Sequence, residues 1–226
     1  MLDEFLSQKD PYSNTASVLA GLPYEQVVNI NPNGEDKVKP EYKKLRQSAK
    51  AVRLGFNYGM WWKKLRNYAK VMFGISMTHE EAEQYYRRYF EAYPGLKEFH
   101  DSLKDKSLRE ARTLEPFRRR RLWTDYPGVP QISNLPIQGT AGDIQKLAIA
   151  NIYEELYRDG YNPCLSQDVR LVLNVHDELE IEAKEDKAEY AREMLERNMI
   201  AAGGYVIHDC PILADAAIVD NLAQKE

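Results

Sequence analysis

Apolar residues recur at helical spacing through most of this chain and change to strand-like alternation late. Leu2, Phe5 and Leu6 share one helical face, and Asp10-Pro11 interrupts it. Asn31-Pro32-Asn33-Gly34 has the composition of a loop. Leu45, Ala49, Val52 and Phe56 predict a helix from Pro40 to about Trp62. Thr78-His79-Glu80-Glu81 has capping-box spacing and opens a helix through Tyr85, Tyr89 and Phe90 that stops at Pro94-Gly95. Another helix is expected to about Arg112. Tyr126-Pro127-Gly128-Val129-Pro130 reads as a turn-rich connector. A long helix then carries Ile144, Leu147, Ala148, Ile152 and Leu156 from about Gln138 to Arg158. Residues 185–202 read as helix, and Tyr205-Val206-Ile207 and Ile212-Leu213-Ala214 as strands. Helices come first and mixed elements follow, which predicts an α+β fold with a helical subdomain.

The sharpest local pattern is Leu171-Val172-Leu173-Asn174-Val175-His176-Asp177-Glu178-Leu179-Glu180-Ile181-Glu182. It predicts a hairpin over 169–183 whose tip carries Asp177 and Glu178. The tip lacks Gly and Asn, the usual tight-turn residues. Adjacent carboxylates repel unless a cation is near, and a divalent metal is the natural candidate. An ordinary hairpin with a solvated acidic turn has the same pattern.

Composition narrows the class. The chain has 226 residues, 43% of them hydrophobic, enough to bury a core. No apolar run reaches membrane-span length, and the N-terminus lacks the pattern of a secretion signal. Cys164 and Cys210 lie outside any metal-type spacing and read as reduced thiols of a cytoplasmic protein. The net charge of −4 hides an asymmetry: residues 37–121 hold 22 Lys and Arg against 10 Asp and Glu, the remainder 9 against 25. So local an excess of cations is a footprint for a polyanion. Lys63-Lys64-Arg66 fits a solvated helix face, whereas Arg118-Arg119-Arg120-Arg121 calls for nearby anions.

Within the helix expected from Pro40, Arg46, Lys50, Leu54 and Tyr58 are each four residues apart. They form a winding stripe of two cations, an apolar residue and an aromatic. Arg suits phosphate oxygens, Lys can also give up a proton, and an aromatic can stack on a base. Gly55 and Gly59 cost about 1 kcal/mol each relative to Ala, so something approaches the backbone or the helix bends or ends there. An amphipathic surface helix with Tyr58 in the core and Gly59 as its cap fits the same residues.

Arg46 to Gly59, with Arg, three residues, Lys, seven residues and Tyr-Gly, resembles the fingers-helix motif of the family A DNA polymerases. Asn134-Leu135-Pro136-Ile137-Gln138-Gly139-Thr140-Ala141-Gly142-Asp143 resembles that family's following segment, and Val175-His176-Asp177-Glu178 its last palm motif. The resemblance implies a helical fingers subdomain over 1–115, followed at 116–226 by part of a palm subdomain with an antiparallel β-hairpin sheet. It implies that Asp177 helps to bind two Mg²⁺ ions, with Glu178 near the primer end. Arg46 and Lys50 would hold the triphosphate of a dNTP, Lys50 would donate a proton to the leaving group, Leu54 would face the sugar, and Tyr58 would stand at the template base. His176, Gln138 and Asn134 would line the minor-groove side of a primer–template, and Arg119, Arg120 and Arg121 would contact the duplex backbone. Phosphoryl transfer fits such a set, because it depends on positioning and charge neutralisation.

The sequence departs from the family pattern in four places. No segment matches the palm strand bearing the other essential aspartate, so the chain is expected to be inactive alone. Two explanations fit: a truncated product, or, as the preferred expectation, the C-terminal subunit of a split polymerase whose partner is a separate N-terminal chain supplying that aspartate and the thumb, in a bacterial or phage-infected cell. Leu54 stands where most relatives carry Phe or Tyr, and Tyr12 where many carry His. The connector from Leu122 to Ser133 looks short for a bacterial member. A primer–template or replication-partner binding module without catalysis is the alternative function.

Overall fold

The computed structural model describes residues 1–7, 9–31 and 36–224. Pro32, Asn33 and Gly34 of the expected loop lie outside the described residues. The fold is α+β, mostly helical, with three two-stranded sheets. The chain divides into two compact units, Met1–Ala111 with Arg121–Leu135, and Arg112–Arg120 with Pro136–Glu226.

The first unit is helical. α1 (Leu2–Leu6) is followed by α2 (Pro11–Ala20), which starts where the sequence breaks, because Asp10 caps it and Pro11 holds the first helical position. After α3 (Tyr24–Val27), β1 (Val28–Asn29) pairs antiparallel with β2 (Lys37–Val38). A 3₁₀ turn at Pro40–Tyr42 leads into α4 (Lys43–Asn57). α4 ends five residues before the expected Trp62, because Gly59 takes a left-handed φ of 74°. α5 (Trp62–Phe73) is a separate helix that Gly74 ends at φ 66°. α6 (His79–Ala92) opens on the expected capping box: Glu81 N–H donates to Thr78 Oγ1 at 3.1 Å and Thr78 N–H to Glu81 Oε2 at 2.7 Å. α7 (Pro94–Ser102) stops well short of Arg112. Asp105 accepts from Ser107 N–H in a turn, and Glu110–Arg112 becomes β3, paired with β4 (Arg120–Leu122). The core gathers Leu19, Val27, Val52, Phe56, Leu65 and Tyr89, with Phe56 packed on Tyr86, Tyr89 and Phe90 at ring separations of 5.3–5.8 Å.

On α1 the sequence pattern inverts. Leu2, Phe5 and Leu6 are exposed, and Glu4 is buried. Glu4 accepts from the Arg53 guanidinium of α4 at 2.8 Å and from the Tyr93 hydroxyl, and Arg53 also donates to Thr15 Oγ1 at 3.1 Å. Burial, then the Glu4 charge, pushes the Tyr93 hydroxyl up to about 12.

The connector before the long helix is shorter than expected, because Val129 and Pro130 already belong to α8 (Val129–Asn134). A π-helical turn at Leu135–Gly139 follows, then α9 (Thr140–Arg158). Pro136 has no N–H to give the helical ladder, which accounts for the widened turn. In the second unit β5 (Val169–Val175) and β6 (Glu178–Ala183) form the expected antiparallel hairpin, packed on α9 and on α10 (Ala188–Gly204). Its core holds Ile152, Leu156, Val169, Leu179 and Met194.

Two features of the second unit depart from the alternating pattern. Leu171 opposes Ile181 and Leu173 opposes Glu180, so Val172 is an extra, bulged residue. The bulge reverses the faces beyond it. Asn174 shares a face with buried Leu179, while Leu173 and Val175 remain exposed. The strands expected at 205–207 and 212–214 do not form. That segment instead runs back along α10: Ile212 covers Gly203, where a Cβ would stand 2.6 Å from Ile212 Cγ2, and Ala216 N–H donates to Glu196.

Candidate functional site

In the first unit α4 buries Ala49, Val52, Arg53 and Phe56, which turns Arg46, Lys50 and Leu54 to its half-exposed side. Tyr58 caps the helix and is also half-exposed. α2 runs beside α4 and supplies a tyrosine to this side. The Tyr12 ring centre lies 5.7 Å from Arg46 Cζ and 5.6 Å from Lys50 Nζ. Arg46 Nε donates to Asp10 Oδ2 at 2.8 Å and to Ser13 Oγ at 3.2 Å. Burial raises the Asp10 carboxyl, but the bonds from Arg46 and Ser13 outweigh it and leave it below the usual carboxylate range. Two cations are thus held together over one ring, with a single carboxylate beside them, in a form suited to a polyanionic ligand.

The glycines of α4 serve packing. A Cβ on Gly55 would meet Met60 Sδ at 3.2 Å, and one on Gly59 would meet Val129 Cγ1 at 2.8 Å. What approaches the backbone at both places is the protein's own side chain. His100 and Tyr89 fasten the same end, through the Asn57 carbonyl at 3.0 Å and the Asn57 side chain at 2.6 Å.

In the second unit the hairpin turn is tighter than expected. Val175 pairs with Glu178, so the loop is His176-Asp177, and Glu178 begins β6. His176 has φ 55°, a left-handed conformation that His adopts more readily than most residues. A positive φ at the first loop position matches the twist of the flanking strands, as in type II′ turns. His176, Asp177 and Glu178 are all exposed. Gln145 of α9 fixes the base of the turn, donating to Asn174 Oδ1 at 2.9 Å and to the Glu178 carbonyl at 3.2 Å.

The four adjacent arginines go separate ways. Arg118 pairs with Glu115 at 3.2 Å, and Arg121 lies 5.3 Å from the centre of the Trp123 ring. Arg119, just before β4, donates to buried Asp143 at 2.9 Å and to the Gly139 carbonyl at 3.1 Å, both within the second unit. Arg119 and Arg120 belong to the second unit and Arg121 to the first. Asn134 ends α8 in the first unit, and Gln138 lies in the π turn of the second; both are exposed.

The donor set for a metal is incomplete. Among the described residues no group of three or more His, Cys, Asp or Glu side chains could hold a metal ion. Asp177 and Glu178 supply part of a carboxylate set at most, and no step is derived through a metal held by this chain alone. Sequence patterning missed Asp10, Gln145 and the Glu4–Arg53 pair, because each acts across a long sequence separation. The only local signal was Asp10 before Pro11, the signature of a helix cap.

Residues 1–224 match DNA polymerase family A. The chain belongs to that family. DNA polymerase I of Aquifex aeolicus (strain VF5) is 34% identical over 222 residues, which cover 96% of this chain and 34% of that protein. The thermostable DNA polymerase I of Thermus thermophilus is 29% identical over 205 residues, covering 85% of this chain and 21% of that one. This family A chain therefore spans about a third or less of the length of these relatives. Among solved structures, the POL domain of Pol1 from M. smegmatis in complex with DNA primer-template and dNTP is similar at a TM-score of 0.67 and 25% identity. The match covers 93% of this chain and 34% of that one. No helix among the described residues is long and apolar enough to cross a membrane.

Proposed function

We propose that this family A chain contributes two sets of groups to template-directed DNA synthesis, in which a primer 3′ oxygen attacks the α-phosphate of a dNTP and pyrophosphate leaves. α4 serves the triphosphate: Arg46 and Lys50 neutralise its oxygens, and Lys50 gives a proton to the departing pyrophosphate. Leu54 faces the sugar and Tyr58 the template base. The hairpin serves the metal side: Asp177 would be one ligand of Mg²⁺ in a carboxylate set completed from outside this chain, and Glu178 would stand beside the primer end. Bound there by a complete carboxylate set, Mg²⁺ would supply charge neutralisation for phosphoryl transfer. His176, Gln138, Asn134 and Arg119 to Arg121 hold the primer–template.

The observation that carries the proposal is Asp177. It stands exposed on a two-residue turn and has no hydrogen bond or ion pair with the described residues, so its carboxylate is open to an external cation. The second palm aspartate and the thumb come from outside these 226 residues. Val172, Leu173 and Val175, between 40% and 50% exposed, offer such a segment an apolar seat. The test is extension of a labelled primer–template with dNTPs and Mg²⁺, the remaining polymerase residues being supplied as a second polypeptide. Asp177→Asn should lower the rate about 10³-fold or more, and Lys50→Gln about 10²-fold. Full activity in Asp177→Asn would leave the chain as a primer–template binding module.

A further inference from the structure

The end of α4 is fastened from outside the helix, and what fastens it lies next to Tyr58. The last carbonyls of a helix have no partner within it. Two of them are met by the chain's own turn: Met60 N–H donates to the Gly55 carbonyl and Gly59 N–H to the Phe56 carbonyl, both at 3.0 Å, with Gly59 left-handed. That pattern leaves the Asn57 carbonyl over. His100 of α7, 43 residues on, meets it, with Nε2 at 3.0 Å from the oxygen. A carbonyl only accepts, so Nε2 carries the proton.

The imidazole is itself held in place. His100 is buried, edge-on to Phe90 at 5.9 Å and tilted against Phe99 at 5.8 Å. Burial pushes its pKa below the usual His value, against the opposing pull of the Asn57 carbonyl, so the ring is neutral at pH 7. A neutral imidazole has one N–H, and Asn57 takes it. The Tyr89 hydroxyl of α6 donates to Asn57 Oδ1 at 2.6 Å, so α6 and α7 grip the same residue. On the other side of Tyr58, Gly59 packs so closely that a Cβ would stand 2.8 Å from Val129 Cγ1 and 3.9 Å from His100 Cδ2. Tyr58 therefore lies between two held residues. The Asn57 carbonyl belongs to the planar peptide group that ends at the Tyr58 nitrogen. Holding its oxygen sets the direction in which the chain enters Tyr58, and so the direction in which the Tyr58 ring leaves the backbone. Water could satisfy a carbonyl at a half-exposed helix end at little cost. A fixed donor from another helix adds direction.

We propose that His100 is a positioning residue for Tyr58: its Nε2–H, by holding the Asn57 carbonyl, fixes where the Tyr58 ring stands and thereby sharpens the choice of the base paired in the site. The consequence for base choice rests on the polymerase reading above; the fastening of Tyr58 does not. His100 touches neither substrate nor metal in this reading and acts only through the peptide that it holds.

The test compares two variants by two readouts. His100→Leu fills the space and cannot donate, whereas His100→Gln keeps an N–H near the same place and loses the ring. In the 226-residue chain labelled with fluorotyrosine, the ¹⁹F line of Tyr58 is assigned by its loss in Tyr58→Phe. That line should move or broaden in His100→Leu and return toward the parent's position in His100→Gln. In the completed enzyme, the ratio of kcat/KM for matched over mismatched dNTP should fall about fivefold in His100→Leu, on the order of one hydrogen bond, and recover to within about twofold in His100→Gln. A residue that serves packing alone would give the two variants equal losses, or the larger loss to Gln, and either result would overturn the proposal. So would a Tyr58 line that stays in place in His100→Leu. A line that moves while base selection does not would keep the fastening and sink the template-base reading of Tyr58. Should circular dichroism show that His100→Leu does not fold, His100→Asn, whose amide is too short to reach the carbonyl, takes its place with the same expectations.

Discussion

The Glu4–Arg53 pair joins α1 to α4 inside the first unit, and its energetics can be worked from its surroundings. The two side chains are 6% and 7% exposed and their charged atoms lie 2.8 Å apart. Arg53→Met would leave the Glu4 carboxylate buried with the Tyr93 hydroxyl as its donor, at a cost of about 3–5 kcal/mol. Glu4→Leu would leave the guanidinium with Thr15 Oγ1 and the Pro11 carbonyl, at a similar cost of about 3–5 kcal/mol. In the double variant no charge is stranded. Only neutral partners such as the Tyr93 hydroxyl lose a bond, and Asn14 still donates to it, so the net cost should be about 0–2 kcal/mol. The coupling is therefore about 4 kcal/mol or more. Urea unfolding followed by tryptophan fluorescence measures it, because Trp61, Trp62 and Trp123 all lie in this unit. Single-variant losses that add in the double variant, or that stay below about 1 kcal/mol, would refute the reasoning.

Gly59→Ala should cost about 1–2 kcal/mol for the left-handed backbone and about 1–3 more for the contact with Val129. Gly74→Ala, with φ 66° and nothing within 4 Å, should cost only the first part; equal urea midpoints for the two would contradict this. The folded Asp10 carboxyl lies below its unfolded value, so its stabilisation is present above the unfolded value and is lost as pH falls through the folded one. Asp10→Asn keeps a capping side chain but removes that dependence, so its stability should fall less between pH 5 and pH 3 than the parent's. Leu54→Tyr should lower the preference for deoxy over dideoxy substrates about tenfold in the completed enzyme, on the order of one hydrogen bond, and an unchanged ratio would deny a sugar contact.

Local signals carried much of this fold. The Thr78 capping box, the Asp10-Pro11 break and the 169–183 hairpin are visible because each is decided within a few residues. Helix ends were less legible. α4 stops at Asn57 because Gly59 turns left-handed against Val129, seventy residues on, and no window around 59 contains Val129. The bulge at Val172 was hidden because an all-apolar run looks the same in either register. Strands at 205–214 were expected from apolar composition, but that segment finds Gly203 and Glu196 of α10 in place of a strand partner. The site divides in the same way. Arg46 and Lys50 stand out by spacing and Asp177 by the hairpin pattern, whereas the contacts of Tyr12 and Asp10 with Arg46, and of Gln145 with the hairpin, act through space and show only in the fold.

The claim on which the functional account rests is that Lys50 and Asp177 act in one transfer step on one metal–nucleotide. A double-mutant cycle on kcat/KM for dNTP in the completed enzyme tests it, with Lys50→Gln, Asp177→Asn and both together. The account predicts strong non-additivity, the double variant being about as slow as the slower single one. Losses that sum to within about 0.5 kcal/mol would contradict it.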